Sequence, residues 1–168
     1  MAELKHKPNW WQRSLQAVAG SRPGAWFSSR TLPTLDRALY RLSSGRFTAT
    51  SAIGGVPIVM LTTTGAKSGQ PRTVPLIAIP DGDDIVLIAS NWGGTNHPAW
   101  YLNLRAHPQA MVVFYGQPAK SYVAREASGN EREAHWQKAV SIYRGYDAYK
   151  RRTGGREIPI MVLTPQDG

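Results

Sequence analysis

From Val56 onward the chain is written in short apolar, β-branched runs, each stopped by a cluster of Gly, Pro or Asp. Residues 57–63 (PIVMLTT), 72–79 (RTVPLIAI), 84–89 (DIVLIA), 110–115, 117–124 and 158–163 are runs of this kind. Runs so short and so rich in Val, Ile and Thr read as strands. Pro80-Asp81-Gly82-Asp83 is a strong turn, so 84–89 is expected to return as the hairpin partner of 72–79. A second hairpin is expected around Gly116. Helical spacing marks three places after residue 31. Leu35, Leu39 and Leu42 mark a helix over 34–43, with Pro33 at its first turn and Gly45 as its stop. Pro98 opens a helix over 98–106, and Trp136, Ala139, Val140 and Tyr143 share a face of one over 130–142. The segment after it reads as polar and basic. The βαβ rhythm of a doubly wound sheet is missing. The fold class is therefore α+β, with about six mostly antiparallel strands and three or four helices, and a small closed or partly open barrel would hide the strand edges.

With 168 residues, one domain plus a tail is expected. The boundary falls near residue 31. Residues 1–31 form a basic segment with the Trp10–Trp11 pair, and residues 32–168 form the domain. Trp11, Leu15 and Val18 share a helical face. A basic amphipathic segment with tryptophans suits a membrane surface, but packing on its own domain is the commoner use of such a face. No apolar run reaches the length of a bilayer span, and the first residues lack the apolar stretch of a secretory signal. The expectation is a cytoplasmic protein, with peripheral contact at the inner face of the cell membrane through residues 1–30 left open.

Lysine and arginine number 20 against 11 acidic residues, a net charge of +9. That surplus favours an anionic partner. Cysteine is absent, which excludes disulfides, thiolate nucleophiles and cysteine-based metal centres. His6, His97, His107 and His135 lack metal-ligand spacing, so no metal site is expected. No Gly-x-Ser-x-Gly elbow is present, and no helix-turn-helix or RNP pattern supports nucleic-acid binding. The carboxylates crowd into the turn 81–84, so no acid–base pair is visible.

Two motifs carry chemistry. In LTTTGAKSGQPRTVP (61–75) a strand runs into a turn holding Gly65, Ala66, Lys67, Ser68, Gly69 and Arg72. Two cations, a hydroxyl and exposed N–H groups are well chosen for a phosphate. It is not a Walker loop, and a plain basic hairpin turn has the same composition. In ASNWGGTNHPAWYLNLRAHP (89–108) a strand ends at Ser90-Asn91, Gly93 and Gly94 loosen the chain, and Pro98 opens the helix. The helix start suits an anion or a ring carbonyl. Trp100 and Leu104, at i and i+4, equally suit inward packing. Tyr143, Tyr146 and Tyr149 recur at three-residue spacing before Lys150, Arg151, Arg152 and Arg156. The tyrosines would close over a flat ring or simply pack, and the basic residues would meet acidic groups or water.

GAKSGQPRTVPL (65–76) and IASNWGGTNHPAWYLNLRAHP (88–108), in this order and spacing, resemble the deazaflavin (coenzyme F420)-dependent nitroreductase family. Gly145-Tyr146, Tyr149 and the closing IPIMVL also fit, and the likeness covers about residues 32–165. The resemblance implies a split β-barrel of the FMN-binding type and reduced coenzyme F420 as cofactor. It implies that Ala66, Lys67, Ser68 and Arg72 hold the cofactor's phosphate and the start of its acidic tail. Thr73, Val74, Pro75, Leu76 and Ile77, with Ile88, Ala89, Ser90 and Asn91, would line the deazaflavin ring, largely through backbone. Asn91 stands where relatives carry Lys. Ala99, Trp100, Tyr101, Leu102 and Asn103 match the helix start beside the tail. Tyr149 and Tyr146 match the region that covers the ring and borders the substrate pocket, and with Ser90 they are the catalytic candidates.

The implied activity is hydride transfer from reduced F420 to an electron-poor small molecule: a quinone, an activated alkene or enone, or a nitroaromatic. A polyanionic cofactor gives the positive surplus a use, and a cofactor that carries the hard chemistry explains the missing acid–base pair. A non-catalytic carrier of cofactor or lipid on the same barrel, and an FMN-dependent oxidoreductase, are the alternatives. A homodimer is the one expected protein assembly.

Overall fold

The computed structural model describes residues 56–114 and 117–166, together with Ser21, Pro23, Thr31, residues 34–36 and Ala38. Seven strands alternate with three α-helices over the continuous part: β1 (Ile58–Thr64), β2 (Pro71–Ile77), β3 (Ile79–Asp81), β4 (Asp84–Ile88), α1 (Ala99–Ala106), β5 (Gln109–Phe114), β6 (Lys120–Glu126), α2 (Gly129–Ile142), α3 (Gly145–Arg152) and β7 (Ile160–Pro165). A one-turn 3-10 helix covers Asn91–Gly93. The strands form one sheet in the order β2-β1-β5-β6-β7-β4-β3, every pair antiparallel. It curls into a half-barrel, as the split-barrel expectation requires.

Residues 72–79 do not form one strand. β2 pairs with β1, Ile77 opposite Ile58, whereas β3 pairs with β4, Ile79 opposite Val86. Between them the fully buried Ala78 donates its N–H to Pro57 O at 2.9 Å. The chain thus changes partners at Ala78, and the two margins of the sheet are consecutive pieces of one segment. Pro80 and Asp81 belong to β3, so the turn is confined to Gly82 and Asp83, with Gly82 at φ +63°. Proline is tolerated there because β3 is an edge strand and needs no second row of donors.

Strand alternation sends successive side chains to opposite faces, and here both faces are dry. Val59, Leu61, Ile85, Leu87, Met161 and Leu163 point into the barrel with Trp100, Tyr101 and Leu104 of α1. Ile58, Val86, Ile88, Ile160 and Val162 point outward, under Trp136 and Ala139 of α2 and Tyr146 and Tyr149 of α3. That double burial is why β4 and β7 read as unbroken apolar runs instead of alternating ones.

The segment after α2, polar and basic in sequence, folds as α3, which carries Tyr146 and Tyr149. Only Gly145, Tyr146 and Tyr149 of α3 are buried, too few to set a helical period against its charged face. Gly145 has a packing reason: a Cβ there would lie 2.3 Å from the Tyr143 ring. The helix over 98–106 is found as α1, with Pro98 as its extended N-cap. Of the expected helix over 34–43, Thr34, Leu35, Asp36 and Ala38 are helical and the other positions lie outside the described residues. The Trp10–Trp11 segment and the tip of the second hairpin, Tyr115 and Gly116, lie outside them as well. No helix among the described residues is long and apolar enough to cross a membrane.

Candidate active site

The first motif is the turn between β1 and β2. Gly65 N donates to Gln70 O at 2.9 Å, Gly69 N to Gly65 O at 2.8 Å, and Gln70 N to Ser68 Oγ at 3.3 Å. Gly69 has φ +65°, which the tight path requires, and a Cβ at Gly65 would crowd Ser68 Oγ at 2.6 Å and Gln70 O at 3.1 Å. Ala66, Lys67, Ser68, Arg72 and Thr73 are exposed. Neither Lys67 nor Arg72 is ion-paired among the described residues, and the N–H groups of Lys67 and Ser68 have no protein acceptor there. Two free cations, a hydroxyl and two free N–H groups on one folded-back turn are a fitting donor set for a phosphate diester.

Asn103 of α1 fastens this turn. Its Oδ1 accepts the Ala66 N–H at 3.0 Å, and its Nδ2 donates to the buried Thr63 Oγ1 at 3.0 Å. Thr63 Oγ1 reaches Arg72 O at 3.5 Å. The two motifs are therefore joined side chain to backbone. The Asn103 amide is used on both ends within the protein, so it serves as a brace for the turn. Trp100 and Tyr101 are buried in the barrel, as the inward-packing reading of the helix anticipated; Ala99 and Leu102 are the exposed residues among those matched on α1. Tyr101 donates its hydroxyl to Glu126 Oε2 at 3.0 Å, and burial followed by that carboxylate pushes its pKa up.

The residues matched to the ring divide by strand parity. Val74 and Leu76 pack with Ala89 and Trp100 on the barrel side, whereas Ile77 and Ile88 pack with the tyrosines outside. Pro75 is half-buried, and Thr73 Oγ1 pairs with Thr62 Oγ1 at 2.8 Å. Ser90 is buried, and its hydroxyl has no partner among the described residues. Asn91 is exposed, with Nδ2 donating to Asn96 O at 2.9 Å.

The chain after Ser90 is not loosened by its glycines. Asn91 (φ 48°), Trp92 (φ 57°) and Gly93 (φ 80°) form three successive left-handed residues. Trp92 stores about 1–2 kcal/mol there, and Asn91 less, because asparagine tolerates this region better than bulky side chains do. Gly93 is a close-approach position: a Cβ would meet the Cα and O of Tyr149 at 3.1 Å. Trp92 meets the Tyr149 ring edge-on, with centroids 6.0 Å apart.

Tyr143, Tyr146 and Tyr149 form a buried cluster with mutual centroid distances of 5.3–6.2 Å. The hydroxyls of Tyr143 and Tyr149 are 2.8 Å apart and bonded to each other. Burial pushes all three phenols up in pKa, most of all Tyr146 and Tyr149, so they stay protonated at neutral pH.

Sequence reasoning missed Arg156. It meets no carboxylate among the described residues; its half-buried guanidinium is wrapped in carbonyls of residues 89–94, and burial pulls its pKa down. Gly154 (φ +68°) and Gly155 (φ +91°) turn the chain so that it points back, and that Gly-Gly-Arg before the last strand was the available signal. Thr63 was missed because it reads as one more strand residue.

Comparison with known proteins gives the family. A family model described as F420H(2)-dependent quinone reductase matches residues 34–165. An F420H(2)-dependent quinone reductase of Mycobacterium tuberculosis is 35% identical over 141 residues, covering 77% of this chain and 87% of that protein. Among solved structures, an F420-H2 dependent reductase (FDR-A) is 40% identical with a TM-score of 0.58, covering 64% of this chain and 93% of that one. A chain described as a domain-swapped dimer is 34% identical with a TM-score of 0.61, covering 84% and 98%. The chain belongs to the F420H(2)-dependent quinone reductase family, enzymes whose reductant is reduced coenzyme F420.

Proposed function

We propose that this chain transfers a hydride from reduced coenzyme F420 to an electron-poor acceptor, with a quinone as the first acceptor class and activated alkenes and nitroaromatics as further ones. The observation that carries the reading is the Ala66–Asn103 bond, which sets the Lys67–Ser68–Arg72 turn directly against α1. The bound cofactor supplies the hydride. Lys67, Arg72 and the N–H groups of Lys67 and Ser68 bind its phosphate. The backbones of 73–77 and 88–91 flank the ring and exclude water from it. Ser90 offers a hydroxyl with no partner among the described residues, free to hydrogen-bond ring or acceptor. Tyr149 and Tyr146 shape the acceptor side, and solvent supplies the proton that accompanies the hydride. The relative described as a domain-swapped dimer supports a homodimer as the working assembly.

The test is titration of the protein with oxidised and reduced F420, followed by turnover with menadione. Binding of both forms, with loss of the reduced cofactor's spectrum only when menadione is added, is the expected result. Binding without turnover across quinones, enones and nitroaromatics would return the chain to a carrier role. Purified protein that keeps a tightly bound yellow flavin would point to FMN instead.

A further inference from the structure

Arg156 lies outside both motifs, yet its guanidinium is the most heavily bonded side-chain group among the described residues. Nε donates to Gly94 O at 3.1 Å. Nη1 reaches Ala89 O, His97 Nδ1 and Glu157 O, each at 3.3 Å. Nη2 donates to Ser90 O at 2.8 Å and to Gly94 O at 3.0 Å. No carboxylate is among these partners; Glu157 gives its carboxylate to Arg132. A guanidinium has five N–H donors in a rigid fork, and here the whole fork is spent on backbone and one ring nitrogen.

The acceptors are not scattered. Apart from its neighbour Glu157, every one belongs to residues 89–97. That stretch contains Asn91 and Trp92, the two non-glycine residues with positive φ among the described ones. Strained backbone persists only where its surroundings over-determine it. Arg156 grips the stretch on both sides of the strained residues, at Ala89 and Ser90 before them and at Gly94 and His97 after them. Gly93, pressed on Tyr149, closes the third side.

We propose that Arg156 is a positioning residue that holds residues 89–94 in a left-handed turn and so presents the Ser90 hydroxyl and the Asn91 backbone to the cofactor ring. The inference rests on the reading that residues 88–91 line the ring. It separates two tasks within the chain: the Lys67–Arg72 turn supplies affinity at the phosphate end, and Arg156 supplies geometry at the reacting end.

The test is Arg156→Lys in the full chain. Lysine keeps the charge but cannot reach Ala89, Ser90 and Gly94 together. We expect kcat with menadione to fall about 10- to 100-fold, the scale set by misplacing a reacting group. Affinity for oxidised F420 should change by less than about threefold, because the charge-assisted phosphate contacts are untouched. Exchange of the Gly93 and Gly94 amides, bonded to Ser90 O and Asn91 O, should quicken by at least about tenfold in the variant without cofactor. Arg125→Lys, a change in the exposed Arg125–Glu131 pair, is the control and should leave all three unchanged. Unchanged kcat and exchange, or affinity and kcat falling together with the melting temperature, would overturn the assignment. If the variant does not fold, the wild-type chain decides: slow exchange at Gly93 and Gly94 without cofactor is required, and exchange at open-loop rates overturns it. Failure of the wild-type chain to bind F420 would defeat the functional reading instead, and the cofactor-free exchange measurement would still judge the hold of Arg156 on the turn.

Discussion

The hydroxyls of Tyr143 and Tyr149 meet 2.8 Å apart inside the core, one at the end of α2 and the other on the last turns of α3. The bond ties the two helices at the point where α3 touches the turn after Ser90. Tyr149→Phe removes it and leaves the Tyr143 hydroxyl unpaired in a dry site, a loss of about 1–3 kcal/mol. Tyr143→Phe should destabilise by a similar amount. If Tyr149 also serves the acceptor, only its variant will change kcat or acceptor preference beyond what stability explains. Chemical denaturation and steady-state kinetics on the pair make the comparison, and equal kinetic effects would confine Tyr149 to packing.

Lys67→Ala and Arg72→Ala should each weaken F420 binding by about 1.5–3 kcal/mol, roughly 10- to 150-fold, where charge-assisted bonds are partly desolvated. Both side chains are exposed, and neither is ion-paired among the described residues, so melting temperature should scarcely move. Titration of cofactor fluorescence measures the change. Wild-type affinity in both variants would remove the phosphate from this turn.

Asn103→Ala should behave differently from either. It strips a partner from Ala66 N–H and from the buried Thr63 hydroxyl together, costing about 1–3 kcal/mol of stability. Cofactor affinity should fall as well, because the turn is no longer braced on α1. Asn103→Asp keeps an acceptor for Ala66 and should recover part of both losses. An affinity loss without any stability loss would mean that Asn103 touches the cofactor directly.

The buried tyrosines predict alkaline sensitivity. Their folded pKa values lie above the unfolded value of about 10, so their contribution is complete below pH 10 and is lost as pH rises above it. Each phenol that ionises only in the unfolded chain lowers stability by about 1.4 kcal/mol per pH unit. Denaturant midpoints measured from pH 9 to 11 should therefore fall steeply. Tyr146→Phe should make that slope shallower by one tyrosine's share, and an unaltered slope would contradict the burial.

Much of this was legible in the sequence because it rests on local signals. The β-branched runs, the Asp-Gly turn and Pro98 fix most strands and one helix within a residue or two. The motif residues 65–72 and 99–103 stand close together, as their joint likeness to one family implied. What stayed hidden depends on residues far apart in the chain. Asn103 reaches Ala66 across 37 positions, and Arg156 reaches Ala89 across 67. An asparagine that braces a turn and one that binds a ligand look the same in a sequence. So do a glycine that loosens a loop and one, like Gly93, that lets two backbones touch. The exchange of partners at Ala78 escaped for a similar reason, since a small apolar residue inside an apolar run carries no mark of the bend it makes.

The two margins of the sheet, β2 and β3, carry Pro71, Pro75 and Pro80. A strand from a neighbouring molecule arriving at either rim would find gaps in the row of donors it needs. Among the described residues, both margins of the sheet therefore carry prolines that disfavour its growth from copy to copy.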